Sequence, residues 1–188
     1  MTRALVVYES MFGNTRAVAT AVAEGLARTL EVRLVEAGAA PPTLDDVELL
    51  VVGAPTHAFG MPRPSTRADA AKHGTGPGVG AERGVREWLA RLGPQPGLPA
   101  SAFSTLAEKP AWLSVIGGAG RGIETGLTRL GCDLVAPQGR FRVQGMTGPL
   151  APGELARAAA WGEELARLAS GRPWRAFGAT RSELTPGS

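Results

Sequence analysis

Short apolar runs alternate with helix-period segments over most of the chain, and this alternation constrains the fold more than any other feature. Ala4–Tyr8 (ALVVY) and, apart from Glu48, Val47–Ala54 are apolar, as strands covered on both faces must be. Glu31–Glu36 (EVRLVE) alternates polar and apolar side chains, which suits a strand nearer a sheet edge. Between the first two runs, Val18, Val22, Leu26 and Leu30 recur every fourth residue and predict a helix over 15–30. Helical spacing returns at Val85, Leu89 and Leu92, and again at Ile123, Leu127 and Leu130. Pro152–Ala169 is the last helix, with Pro152 in its first turn, Glu154 following, and Trp161, Leu165 and Leu168 on one face. Ala100–Leu106 and Asp133–Val143 read as the remaining strands, the second broken by Pro137 and Gly139. Five strands interleaved with helices predict an open parallel α/β sheet. Such sheets hold ligands beyond the carboxyl ends of their strands, so chemistry is expected in the segments that follow each strand.

Composition narrows the class further. The 188 residues, 44% hydrophobic, suffice for one core, here assigned to residues 1–170 with a long Gly/Pro-rich loop at 55–83 and a tail at 171–188. The apolar runs are strand-sized, far short of the roughly 18 residues a membrane span needs. No secretory pattern opens the chain, and the lone Cys132 excludes an internal disulfide or a cysteine zinc cage. A cytoplasmic protein is expected. All but two of the 20 bases are arginine, yet they form no consecutive block and do not interleave with aromatics, which argues against nucleic-acid binding. No nucleophile–base pair or carboxylate pair stands out, so no catalytic residue is assigned. His57 has only His73 for company, so no metal site is expected either.

The first strand runs into Glu9-Ser10-Met11-Phe12-Gly13-Asn14-Thr15-Arg16 and then a helix. Hydroxyls, an amide and open helix-start N–H groups make such a turn an anion site without a lysine, although plain helix capping uses the same residue types. It is not a Walker loop, since the Gly-Lys-Ser/Thr ending is missing, and one glycine cannot make the dinucleotide fingerprint. Gly117-Gly118-Ala119-Gly120-Arg121-Gly122 also lacks that fingerprint's spacing and reads as a turn before a helix.

Ser10-Met11-Phe12-Gly13-Asn14-Thr15 after ALVVYE resembles the phosphate loop of the flavodoxin family, T/S-x-T/F-G-N-T. The resemblance implies a flavodoxin-like open five-stranded parallel sheet of order 2-1-3-4-5, helices on both faces, and FMN as cofactor. It implies that Ser10, Asn14 and Thr15, with the amides between them, surround the FMN phosphate. Pro55-Thr56-His57-Ala58-Phe59-Gly60 falls where flavodoxins set a loop against the isoalloxazine, with Phe59 and His57 as candidates for stacking or edge contact. Gly60 is placed where a peptide turns over as the flavin changes protonation. Ser104, Thr105 and Leu106 would line the ring's polar edge, and Trp112 would cover its outer face. Gly148-Pro149-Leu150 reads as a tight turn feeding the capped last helix.

Flavodoxins are typically acidic, and this chain departs from them with a formal +3. Residues 55–86 hold Arg63, Arg67, Lys72, Arg83 and Arg86 against Asp69 and Glu82, enough to account for that excess. A positive rim eases anionic reduced flavin and attracts an acidic redox partner protein or NAD(P)H. Three functions stay open on these residues: a flavodoxin-like electron carrier, an NAD(P)H-dependent FMN reductase acting on quinones or flavins, and a non-flavin phosphate-binding scaffold.

Overall fold

A computed structural model of the chain describes residues 3–56, 60–65, 84–107, 118–145 and 147–171. Strand β1 (Arg3–Tyr8) lies between β2 (Glu31–Glu36) and β3 (Leu49–Pro55), and β4 (Pro99–Ala107) follows β3, all parallel. The next strand position is split: β5 (Asp133–Leu134) pairs with the start of β4, and β6 (Gly139–Val143) pairs with its end. The order β2-β1-β3-β4-β5 is the expected 2-1-3-4-5, with six strands rather than five because Pro137 interrupts the ladder.

Helices α1 (Asn14–Leu26) and α4 (Glu154–Ser170) cover one face. Helices α2 (Val85–Arg91) and α3 (Ala119–Arg129) cover the other. The burial of β1 and β3 on nearly every residue explains why their sequences show no alternation, while edge strand β2 stays exposed or half-buried throughout. Each face has its own core. Phe103, Phe141 and Trp161 meet edge to face under α4 with ring centroids 6.0–6.3 Å apart, a favoured aromatic geometry. Where α1 crosses α4, a Cβ on Gly25 would fall 2.1 Å from the Ala159 carbonyl oxygen, and one on Gly162 would fall 2.3 Å from that of Val22. The two backbones touch.

Three boundaries differ from the sequence reading. Helix α1 stops at Leu26, because the N–H groups of Thr29 and Leu30 both turn back to the Leu26 carbonyl; Leu30 still buries its side chain from that turn. β3 starts at Leu49, since Val47 is spent in a turn on Leu44 and Glu48 donates to Arg3. Pro152 lies just outside α4, whose N-cap is Gly153 in the left-handed region at φ 83°. No helix among the described residues is long and apolar enough to cross a membrane.

Candidate functional site

The carboxyl end of β1 delivers Ser10–Gly13 to the start of α1. Gly13 is the N-cap at φ 87°, a conformation that a side chain would strain, and nothing lies within 4 Å of where its Cβ would sit. The first helical hydrogen bond runs from the Ala17 N–H to the Gly13 carbonyl, so the N–H groups of Asn14, Thr15 and Arg16 precede the ladder as open donors. Ser10 contributes a buried hydroxyl without a hydrogen-bond partner among the described residues. Met11 and Phe12 are half-buried beside it. The first turn of α1 holds no acid that would repel an anion.

Two of the expected phosphate ligands already have protein partners. Asn14 Nδ2 donates to the Gly148 carbonyl at 2.8 Å, across 134 positions of sequence. The Thr15 and Thr105 hydroxyls share a hydrogen bond of 2.8 Å in a buried setting. That bond uses one of the pair's two protons. If Thr105 donates, the Thr15 O–H is left to serve an anion in the turn.

The ends of β3 and β4 close against each other. The Thr56 N–H donates to the Thr105 carbonyl at 2.8 Å, and the Thr56 hydroxyl accepts from the Ala119 N–H at 3.2 Å, so this side chain anchors the start of α3. Pleating separates the three β4 residues. Thr105 faces α1, whereas Ser104 lies on the α3 side, its Oγ 3.2 Å from the place of a Cβ on Gly120 and without a partner among the described residues. Leu106 is half-buried opposite Arg142 of β6. Pro55 ends β3 opposite Thr105, and Gly60 has open space around it. The structure thus brings Ser10–Thr15 together with Pro55, Thr56 and Thr105 at one edge of the sheet. Expected contacts from His57, Ala58, Phe59 and Trp112 lie outside the described residues, as do Arg67, Lys72 and Arg83 of the basic loop. Arg86 donates to the carbonyls of Met61 (3.1 Å) and Pro62 (3.4 Å), which ties the segment after β3 to α2.

Sequence reasoning gave no role to two residues here. Glu9, directly before the turn, is fully buried; its carboxylate accepts the Val85 N–H at 2.9 Å while its own N–H donates to Gly53. An acid placed where an apolar strand meets a helix-start turn was the available signal. Gly148, read only as part of a turn, approaches Gln144 so closely that a Cβ would lie 2.1 Å from its carbonyl oxygen. No group of three or more His, Cys, Asp or Glu able to hold a metal occurs among the described residues.

An open parallel sheet of this order, with helices on both faces and a helix-start turn at the end of its first strand, defines a flavodoxin-like α/β protein. Residues 6–94 match the Flavodoxin family. No curated protein matches the chain. Among solved structures, a flavodoxin from the domain Archaea is 20% identical with a TM-score of 0.61, covering 90% of this chain and 99% of that one. Oxidised flavodoxin 1 from Bacillus cereus is 15% identical with a TM-score of 0.61, covering 88% and 98%. A WrbA-like flavodoxin from Agrobacterium tumefaciens is 19% identical with a TM-score of 0.55, covering 90% and 98%. At these identities the structural likeness is one of fold. The family match and the fold together support a flavodoxin-family protein.

Proposed function

We propose that this chain binds FMN through the Ser10–Thr15 turn and serves as an electron carrier. The observation that carries the reading is the turn itself: a buried Ser10 hydroxyl without a partner among the described residues precedes a helix start with three open N–H groups and no acid in its first turn. Family membership implies a flavin, normally FMN. The donor set fits a phosphate monoester, whose oxygens accept several hydrogen bonds at once, and the helix dipole favours its negative charge.

When bound, the flavin supplies the one- and two-electron redox chemistry. The chain's residues do the rest. Ser10, the amides through Arg16 and the Thr15 hydroxyl hold the phosphate, and Thr105 orients that hydroxyl. Asn14 spends one N–H on Gly148 and keeps the other for the phosphate. Pro55, Thr56 and Gly60, with His57, Ala58 and Phe59 that lie outside the described residues, would cover one side of the ring, and Ser104–Leu106, with Trp112 likewise outside them, would cover the other. The backbone supplies the Ser104 contribution, because its hydroxyl lies under α3.

The purified protein is expected to be yellow, or to become so on adding FMN, with the absorbance bands of an oxidised flavin. Asn14→Ala with Thr15→Ala should weaken FMN binding at least about tenfold, as expected for two lost hydrogen bonds to a charged group. Unchanged affinity would overturn the site. Steady NADPH consumption in the presence of a quinone, without any other protein, would make the chain a reductase rather than a carrier.

A further inference from the structure

We infer that the sheet edge bearing the FMN turn docks an acidic partner protein, with Arg16, Arg121 and Arg142 as its anchors; the inference rests on the redox reading above. Arg16 and Arg121 occupy the third position of α1 and of α3, and neither first turn contains an acid. A cation there opposes the positive end of the helix dipole, so local stability does not explain either arginine. Arg142 lies at the carboxyl end of β6, opposite Leu106 of the proposed ring wall. All three are exposed, and none forms a salt bridge among the described residues.

Acids at the same end are turned inward. Glu9 is buried against Val85, Glu87 accepts from the Gly84 N–H, Glu124 holds Gln138, and Glu154 is held by Arg157 and the Arg142 N–H. Glu36, at the end of β2, is half-buried. The opposite end is mixed: Glu31 opens β2, Asp45 and Asp46 precede β3 and Asp133 opens β5, but Arg3 opens β1 and pairs with Asp46, and exposed Arg91 and Arg129 end α2 and α3. Among the described residues the carboxyl end of the sheet therefore presents exposed bases and no exposed acid, and it is the end that carries the proposed site. Such a distribution orients an approaching acidic surface toward that end.

Spacing chooses the class of partner. Helices α1 and α3 lie on opposite faces of the sheet, so Arg16 and Arg121 are separated by roughly 20 Å, two helix diameters of about 10 Å. One phosphate cannot reach both. A protein footprint of about 800 Å² can.

The test uses an acidic plant-type [2Fe–2S] ferredoxin as probe and a basic cytochrome c as control, each titrated against the FMN-loaded chain by calorimetry. Ferredoxin binding should weaken at least about tenfold between low salt and about 0.3 M salt, as screening predicts. The R16E/R121E/R142E variant should lose at least about tenfold in affinity at low salt and acquire binding to cytochrome c. The three-glutamine variant R16Q/R121Q/R142Q should fall between, which separates charge from misfolding. No ferredoxin binding at low salt, salt-independent binding, tighter binding of cytochrome c to the natural chain, or an unaffected charge-reversal variant would each overturn the docking face. Repeating the titration without FMN separates the two readings, since failure to take up FMN sinks the cofactor assignment while the surface is still measured.

Discussion

At the scale of single residues, Glu154 carries more structure than its place in a helix first turn suggests. Its carboxylate accepts from the Arg142 N–H at 2.8 Å and the Arg157 Nε at 3.1 Å, while the Arg157 guanidinium lies 4.6 Å from the centre of the Phe141 ring. Burial pushes its pKa up, but the hydrogen bonds from Arg157 and Arg142 and their charges outweigh it, so the carboxyl stays below the usual range. A depressed carboxylate stabilises the fold above its unfolded pKa and loses that contribution as pH falls through the lower folded value. Glu154→Gln should therefore cost about 1–2 kcal/mol at pH 7 in urea unfolding, with a smaller difference from the natural chain near about pH 3. Thr105→Val should leave Thr15 unoriented and weaken FMN binding roughly three- to tenfold by fluorescence titration, with little change in the spectrum. Cys132 is buried, and that burial, with the charge of Asp133, pushes its thiol up to about 11. Iodoacetamide should modify it at neutral pH only after denaturation, because the thiolate is the reacting species.

At the scale of elements, the crossing of α1 and α4 explains two glycines that helix propensity alone disfavours. Alanine at an exposed helical position stabilises by up to about 1 kcal/mol relative to glycine. Gly25→Ala and Gly162→Ala should do the reverse and destabilise by about 1–3 kcal/mol, because each new methyl would force the helices apart. The double variant should cost less than the sum of the two, since one displacement relieves both clashes; denaturant unfolding of all four proteins checks it. This crossing was not legible in the sequence, where Gly25 and Gly162 merely interrupt good helices. β1 and β3 were legible because they are buried on both faces and thus read as apolar runs, whereas β4 buries Ser101, Ser104 and Thr105 among its apolar residues. The turn into α1 was legible because helix-start chemistry is local. What escaped were the long-range partners. Nothing near Asn14 marks Gly148, nothing near Glu9 marks Val85, and the opposite facings of Ser104 and Thr105 depend on which helix covers each side of β4.

At the scale of the whole molecule, FMN held as proposed, by the end of β1 and the ends of β3 and β4, would brace the middle of the sheet. Bound FMN at about a hundred times its dissociation constant should raise stability by about 2.7 kcal/mol. For a domain of this size that corresponds to a rise in melting temperature of roughly 5–10 °C, readable by a thermal scan with and without the nucleotide. Riboflavin, lacking the phosphate, should produce a much smaller rise if the turn at Ser10–Thr15 supplies most of the grip.

The hydrogen bond from Asn14 to Gly148 also imposes an order of events during synthesis. The turn proposed to hold the cofactor leaves the ribosome among the first fifteen residues, yet the carbonyl that fixes its asparagine arrives more than 130 residues later. A growing polypeptide therefore carries this turn unfastened for most of translation, and the fastening closes only once the segment beyond β6 has emerged.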